Sequence, residues 1–450
     1  MCQPKALRLP LGTFHAIVKR KSADLSRCNM RTAGLIVEYN PFHNGHAYHL
    51  QKSVEAAGAD AVVAVMSGHF LQRGEPALMD KWARARTALL GGCDLVLELP
   101  LAYSVQPAEW FAHGAVAVLE STGVVDAFCF GSESGRLEPL SRAAGLLADE
   151  PDEFRALLRH RLGEGASYPS AYSSALMEYM ARSGDAADLG LSPEELALPN
   201  QTLGLHYLIA LRRLKGRMEP LTIRREGAGY HDPVAESGSI ASATALRRKL
   251  SEGSSLSSLA PFVPPGTIEV LEQQWQEGNA PRSWDDYFPQ LLHRILTGAP
   301  ASLAGILGMG EGLEHRLLSS LRELPAAGME ALLQAMKTKR YTRTRLQRAL
   351  LGVLLDLRKD ELSPERLNGG PGYIRVLGFT PKGRELLARM RRSASAPVLL
   401  SAARAPQGLS MLELDVRATA VYASAGRGGM APPGPKELFR DYYEPPVRLE

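Results

Sequence analysis

Gly34-Leu35-Ile36-Val37-Glu38-Tyr39-Asn40-Pro41-Phe42-His43-Asn44-Gly45-His46 decides how the rest of the chain is read. A β-branched run, Gly34–Glu38, has the composition of a buried strand, and His46–Ala57 continues with helical spacing. The same alternation recurs downstream. Strand-like runs at Ala61–Met66, Asp94–Leu99 and Asp126–Phe130 are separated by helix-like stretches at Leu78–Leu90 and Ala108–Glu120. Short strands alternating with helices of this length predict βαβ units and a parallel sheet covered on both faces. Ligands in such sheets bind beyond the carboxyl ends of the strands. The loops after Glu38, Met66, Leu99 and Phe130 are therefore expected on one rim.

The fold class expected is α/β: a Rossmann-like parallel-sheet domain over residues 31–255, whose last strand is Met218–Arg224. Helical stretches fill Leu137 to Leu214, and Ser242–Leu250 forms a further helix. Ser251–Pro265 has the Ser- and Pro-rich composition of a linker. A mainly helical region then covers 266–370, a small C-terminal α/β element 371–422 and a Gly- and Pro-rich flexible tail 423–450. Residues 1–30 read as a disordered or artefactual extension, with Met30 the preferred start and an amphipathic targeting peptide the alternative.

The chain has 450 residues, 45% hydrophobic and 22% charged, with a formal charge of +4, too mild to imply nucleic-acid binding by itself. No run approaches the roughly 18 apolar residues of a membrane span, so no membrane association is expected. The four cysteines, Cys2, Cys28, Cys93 and Cys129, have neither zinc-finger nor disulfide-framework spacing. No dedicated metal cluster is visible either, and sparse cysteine usage fits a reducing cytoplasm.

The chemistry concentrates in two segments. In His43-Asn44-Gly45-His46 two imidazoles flank a glycine at a helix start. Ring nitrogens and free backbone N–H groups can meet one phosphate there, and Gly45 lets a nucleotide approach the backbone closely. Two unrelated histidines on a surface loop are the competing reading, which the position after the first parallel strand disfavours. The second segment is Ser242-Ala243-Thr244-Ala245-Leu246-Arg247. Hydroxyls at a helix start can bind phosphate oxygens, and Arg247 can neutralise departing pyrophosphate, although an ordinary N-cap would look the same.

Together these segments resemble the nucleotidyltransferase superfamily with an H-x-G-H motif. Five longer strings narrow the resemblance to the tRNA(Met) cytidine acetate ligases: Gly34 to His46, Met66 to Pro76, Asp94 to Pro100, Gly131-Ser-Glu-Ser-Gly and Lys337 to Arg345. The resemblance covers about Met30 to Arg358 and fades beyond Tyr373. It implies an ATP-dependent ligase that activates acetate as acetyl-adenylate and passes the acetyl group to N4 of the wobble cytidine, C34, of elongator tRNA(Met). It implies ATP, with Mg2+, as substrate, and His43, His46, Thr244 and Arg247 as catalytic residues. The ATP contacts it implies are Ile36, Val37, Glu38, Tyr39, Asn40, Pro41, Phe42, His43, Asn44, Gly45, His46, Ala47, Tyr48 and His49, with Gly131, Asn200 and Arg225. Gly131 also reads as a turn glycine and Asn200 as a helix cap; Arg224 competes with Arg225. No protein partner is expected.

For RNA, the run from Lys337 to Arg348 holds Lys337, Lys339, Arg340, Arg343, Arg345 and Arg348 with no acid, and Tyr341 among them. Arginines pair with phosphates while an aromatic stacks on a base; a solvated helix face is the bland reading. Charges of one sign so closely spaced need an offset, which RNA phosphate would supply. Met66–Pro76 reads as a lid, a wall of the acetate or tRNA pocket, or a buried structural loop. Lys81, Trp82 and Arg84 read as RNA contacts or a solvated face, and His113 as a core histidine. Two other functions stay open: nucleotidyl transfer to a small phosphorylated metabolite, and non-catalytic RNA binding.

Overall fold

A computed structural model describes residues 30–165, 168–183, 192–225, 241–338, 341–425 and 433–450. The reading of residues 1–29 and of Lys339 and Arg340 lies outside them. Strands β1 (Thr32–Val37), β2 (Ala61–Ser67), β3 (Leu95–Leu99), β4 (Ala127–Ser132) and β5 (Glu219–Arg224) form a parallel sheet in the order β5-β4-β1-β2-β3. Connections leave β1 in one direction through β2 and β3, and in the other through β4 and β5. The chain order reverses between β1 and β4, and that crevice is where such sheets bind ligands.

Alternation along β2 builds the two faces. Val62, Ala64 and Met66 pack with Leu50 of α1 (Asn44–Ala57) and with Ala85, Ala88 and Leu89 of α2 (Lys81–Leu90). Val63 and Val65 point the other way, into the core shared with α3 (Ala108–Thr122). With both faces covered, the strands are continuously apolar, which made them legible in the sequence. Helices α4 (Leu137–Leu147), α5 (Asp152–Gly163), α6 (Tyr168–Ser183) and α7 (Pro199–Arg213) follow β4, and α8 (Ala243–Ser251) follows β5.

The segment between α8 and α9 (Pro265–Gln276) packs more closely than a linker. Leu259 and Val263 are buried, and the Phe262 carbonyl accepts from the Asn44 N–H at 2.9 Å. The helical region that follows includes α10 (Phe288–Thr297), α11 (Leu313–Arg322), α12 (Met329–Met336) and α13 (Arg343–Leu355).

Beyond it, the stretch expected as a small C-terminal α/β element is joined to the first sheet. Strand β6 (Ile374–Phe379) pairs antiparallel with β3 and extends the first sheet; β7 (Val398–Leu399) and β8 (Val447–Arg448) pair with β6. Helix α14 (Pro381–Ser393) crosses the amino ends of the strands. Lys382 donates to the Asp60 carbonyl and Arg389 to that of Met30. Helix α15 (Ser410–Ala423) packs beside the turn following β3.

Residues 433–450, expected as part of a flexible tail, are anchored instead. Asp441 is fully buried and accepts from Lys81 Nζ at 2.8 Å, while Lys81 also donates to both carboxylate oxygens of Glu98 at 2.8 and 2.9 Å. The Arg375 guanidinium lies 3.6 Å from the same aspartate. This buried cluster of ion pairs outweighs the Gly- and Pro-rich composition, because a buried lysine needs carboxylate partners.

Candidate active site

The loop after β1 is held by its own imidazoles. His43 caps α1: its Nδ1 accepts from the Gly45 N–H at 3.0 Å, and His46 Nδ1 accepts from the His43 N–H at 3.3 Å. The two rings stack with centroids 3.7 Å apart. With Nδ1 accepting, the His43 ring proton sits on Nε2 as a donor. Burial lowers the His43 pKa to about 3, helped by Arg225 and Arg247. Burial also takes His46 well below the usual histidine range, assisted by His43, Arg225 and His49; the Pro41 carbonyl, accepting from the ring, opposes this. His49 falls to about 4 by burial and by Arg225. These are neutral donors on a helix start, a setting that accepts phosphate without a fixed histidine charge.

The distant second segment reaches this loop. Arg247 on α8 donates to the Asn40 carbonyl at 2.9 Å and pairs with Glu75 at 3.1 Å. Ser242 caps the helix by accepting from the Ala245 N–H, so the N-cap reading of that serine holds. Thr244 stands exposed one turn before Arg247 on the same helix.

The other side of the crevice is formed by β4 and β5. A Cβ on Gly131 would meet Arg225 Cγ at 3.2 Å and the His49 ring at 3.6 Å, so those three positions adjoin, and Arg225 rather than Arg224 stands beside the histidines. Arg224 packs instead against Gly135. Asn200, at the start of α7, donates from its Nδ2 to Glu133 at 2.7 Å, and the Asn200 and Gln201 N–H groups donate to the same carboxylate. That asparagine thus ties α7 to the loop after β4. Within the loop after β1 the expected contacts divide. Tyr39, Phe42 and Asn40 are buried, with Asn40 Oδ1 accepting from the Leu78 N–H at 2.7 Å, so they shape the loop together with Glu38 and Pro41; Ile36 and Val37 end β1, and Asn44, Ala47 and Tyr48 lie at the start of α1. Burial raises the Glu38 pKa, opposed by the Gln72 N–H and by Arg73, Arg247 and Arg84.

The segment after β2 is a docked strap. His69, Phe70 and Leu71 are buried, while the Gln72 N–H donates to Glu38 at 2.8 Å. Lys81, Trp82 and Arg84 are buried as well, which overturns both the RNA-contact and the solvated-face reading. Arg84 ties the rim together, donating to the carbonyls of Glu38 and Ser67 at 2.6 and 2.9 Å and to that of Gly68. The sequence gives no sign of this role for Arg84, because its partners are backbone carbonyls. His113 is buried against Trp110, as a core histidine should be.

The basic run is reshaped by partners from other helices. Arg343 makes a two-bond pair with Glu330 at 2.9 and 2.6 Å, and Arg345 pairs with Glu311 at 3.1 Å. The Glu330 carboxyl is held down at about 2 by Arg343. Tyr341 is buried, with the Arg345 guanidinium over its ring at 4.9 Å, so its face is not offered to a base. The offset for like charges is thus partly internal. Lys337 ends α12, and Arg348 approaches the strap.

Among the described residues no group of three His, Cys, Asp or Glu side chains is placed to hold a metal ion. Among them, too, no helix is long and apolar enough to cross a membrane.

Comparison with known proteins bears on the family and the fold. The profile of the family described as HIGH Nucleotidyl Transferase matches residues 30–430. A tRNA(Met) cytidine acetate ligase of Acetivibrio thermocellus is 40% identical over 401 residues, 87% of this chain and 94% of that protein. One from Alkaliphilus metalliredigens is 39% identical, covering 92% of this chain and 99% of its own length. Among solved structures, Thermotoga maritima TmcAL bound with alpha-thio ATP superposes with a TM-score of 0.83 at 35% identity, covering 93% of this chain and 100% of that one.

Proposed function

Since this chain belongs to the HIGH nucleotidyl transferase family, among the tRNA(Met) cytidine acetate ligases, we propose that it is an ATP-dependent ligase acetylating N4 of the wobble cytidine, C34, of elongator tRNA(Met) in the cytoplasm. The observation that carries the reading is the meeting of His43, His46, Arg225 and Arg247 at the β1/β4 crevice, from segments about 200 residues apart in sequence.

In the first step an acetate oxygen attacks the α-phosphorus of ATP. The bond to the β-phosphate breaks, and pyrophosphate leaves as acetyl-adenylate forms. Charge accumulates on the phosphoryl oxygens, and the His43 Nε2–H and the amino end of α1 are donors aimed at such oxygens. Arg225 and Arg247 supply permanent positive charge, and Thr244 a hydroxyl for the leaving pyrophosphate. Mg2+ would travel with the triphosphate, whose oxygens suit it better than the engaged carboxylates Glu38 and Glu75.

In the second step N4 attacks the acetyl carbon. The bond to AMP breaks, and N4 loses one proton. Adenylation is needed because the N4 lone pair is delocalised into the ring and free acetate is inert towards it. The nucleotide must be splayed from its stack, as anticodon-loop bases readily are. For the RNA we assign Lys337, Lys339, Arg340, Arg343, Arg345 and Arg348. Arg343 and Arg345 would exchange their exposed glutamate partners for phosphate, and Tyr341 would support Arg345 from below.

Incubating the protein with ATP, labelled acetate and tRNA tests this, followed by nucleoside analysis. N4-acetylcytidine appears only with all three. Absence of label in RNA, with pyrophosphate exchange dependent on a different acid or phosphate, would favour transfer to a small metabolite instead.

A further inference from the structure

A cavity of about 360 Å³ lies between the start of α2, the end of α9, α15 and residues 437–440, and none of the residues assigned to ATP lines it. Leu78, just after the strap, connects it to the nucleotide loop. Its N–H donates to Asn40 Oδ1, and its carbonyl accepts at 3.0 Å from the N–H of Arg282, in the cavity wall. The volume is that of a small-ligand pocket.

The wall offers acceptors and rings rather than net charge. Asp80 and Arg440 neutralise each other at 2.7 Å, and the guanidinium lies over the Trp82 ring at 4.3 Å. His69 packs against Tyr422 and Trp82, with ring centroids 4.4 and 5.7 Å apart. The Thr419 hydroxyl has one proton, which goes to the Asp441 carboxylate or the Asp415 carbonyl, so towards His69 Nδ1, 3.3 Å away, it accepts. Burial, with Lys81, Arg84 and Arg440 nearby, takes His69 well below the usual histidine range. The neutral ring therefore carries its proton on Nδ1, and Nε2 keeps a lone pair that no donor meets among the described residues. Gln274, nine-tenths buried, donates from Nε2 to Glu277 at 3.0 Å. That bond fixes the amide and leaves Oε1 buried without a partner.

Acceptors of this kind repel phosphate and carboxylate. Set among aromatic rings, they suit a planar ligand that brings its own N–H donors. The segments that wall the cavity also carry exposed aromatics: Trp275 follows Gln274, and Phe439, Tyr442 and Tyr443 flank Arg440. Aromatic side chains left in water around a polar pocket are what unpaired bases stack on. We propose that the cavity receives one amine-bearing base of the anticodon loop, a neighbour of the reacting cytidine, whose exocyclic NH2 donates to His69 Nε2 and Gln274 Oε1. This rests on the tRNA reading above and adds a place where the RNA is read by its bases. The basic start of α13 takes backbone phosphates, which carry no sequence information; the cavity takes the edge of a splayed-out base.

The test uses the full chain and elongator tRNA(Met). Loop bases other than the wobble cytidine are replaced one at a time by analogues lacking the amine, uracil for cytosine and purine for adenine. With wild-type protein, one such replacement should lower kcat/KM for acetylation about tenfold. His69→Phe and Gln274→Met, which keep ring and volume, should raise the KM for tRNA by about the same factor. In both variants acetylation should fall further than acetate-dependent exchange of pyrophosphate into ATP. The amine-lacking tRNA should cost these variants no further loss, because its partner is already gone. Wild-type protein indifferent to every replacement would overturn the subsite. Exchange falling in parallel with acetylation would also overturn it and assign the cavity to acetate or nucleotide. A lowered melting temperature with the loop-base preference intact would make His69 and Gln274 structural. If His69→Phe fails to fold, Gln274→Met on α9 carries the same comparison. Wild-type protein that neither binds nor acetylates tRNA would reject the ligase reading itself, a result distinct from these.

Discussion

In the proposed reading His43 acts as a hydrogen-bond donor to phosphate and His46 holds the loop that aims it, both rings kept neutral by burial and by Arg225. Losing one such donor typically costs about 10²–10³ in rate. His43→Ala and His46→Ala should each lower acetate-dependent pyrophosphate exchange by that order, while tRNA affinity changes little. The same burial makes stability depend on pH. The His43 pKa is about 3 in the folded chain against an ordinary 6.5, so between those values the unfolded chain binds more protons. Its contribution to stability is complete above pH 6.5 and is lost as the pH falls towards 3. Melting temperatures of wild type and His43→Asn, measured from pH 7 to pH 4, should converge towards the acid end; parallel curves would refute the assignment. At this scale the sequence was informative about identity and silent about partners. The H-x-G-H spacing pointed to phosphate, but nothing in it revealed that each imidazole would accept a backbone N–H and so fix the position of its proton.

Among the elements, the strands of the first sheet were legible because burial on both faces writes continuous β-branched runs. The basic helix start was half legible. Its charge was plain, but Glu330 and Glu311, which neutralise part of it, come from α12 and from the turn before α11, and such pairings leave no mark in local spacing. The strap shows how one residue can fix the contact between two elements. Gly74 has φ +74°, and any side chain there would strike the α13 backbone, which cannot move aside as a flexible side chain can. Gly74→Ala should destabilise the protein by roughly 1–3 kcal/mol. It should also reduce tRNA acetylation through displacement of α13. Urea denaturation beside the acetylation assay checks both, and an unchanged midpoint would show that the strap can lift without cost.

In the whole molecule the catalytic sheet is completed by chain from the far end of the sequence. Lys81 on α2, Glu98 on β3, Arg375 on β6 and Asp441 meet in the interior. Removing one partner of such a cluster leaves an uncompensated buried charge and costs about 3–5 kcal/mol. Asp441→Ala should therefore lower stability by that order, although it lies outside the nucleotide loop; a loss under 1 kcal/mol would show that water reaches the lysine. This closure was hidden in the sequence for a physical reason. A mostly apolar strand such as Ile374–Phe379 reads the same whether it starts a new sheet or finishes an old one.

That late closure also sets an order of events on the ribosome. Thr380, at the end of β6, is bonded to Asp94, at the start of β3, across 286 residues. At ordinary elongation rates of about 5–20 residues per second, roughly 15–60 s separate their emergence. Through that interval the nascent domain carries an open, apolar strand edge, the feature that invites pairing with another chain. The chain is thus most exposed to aggregation while it is still being translated, and slower synthesis between β3 and β6 lengthens the exposure in proportion.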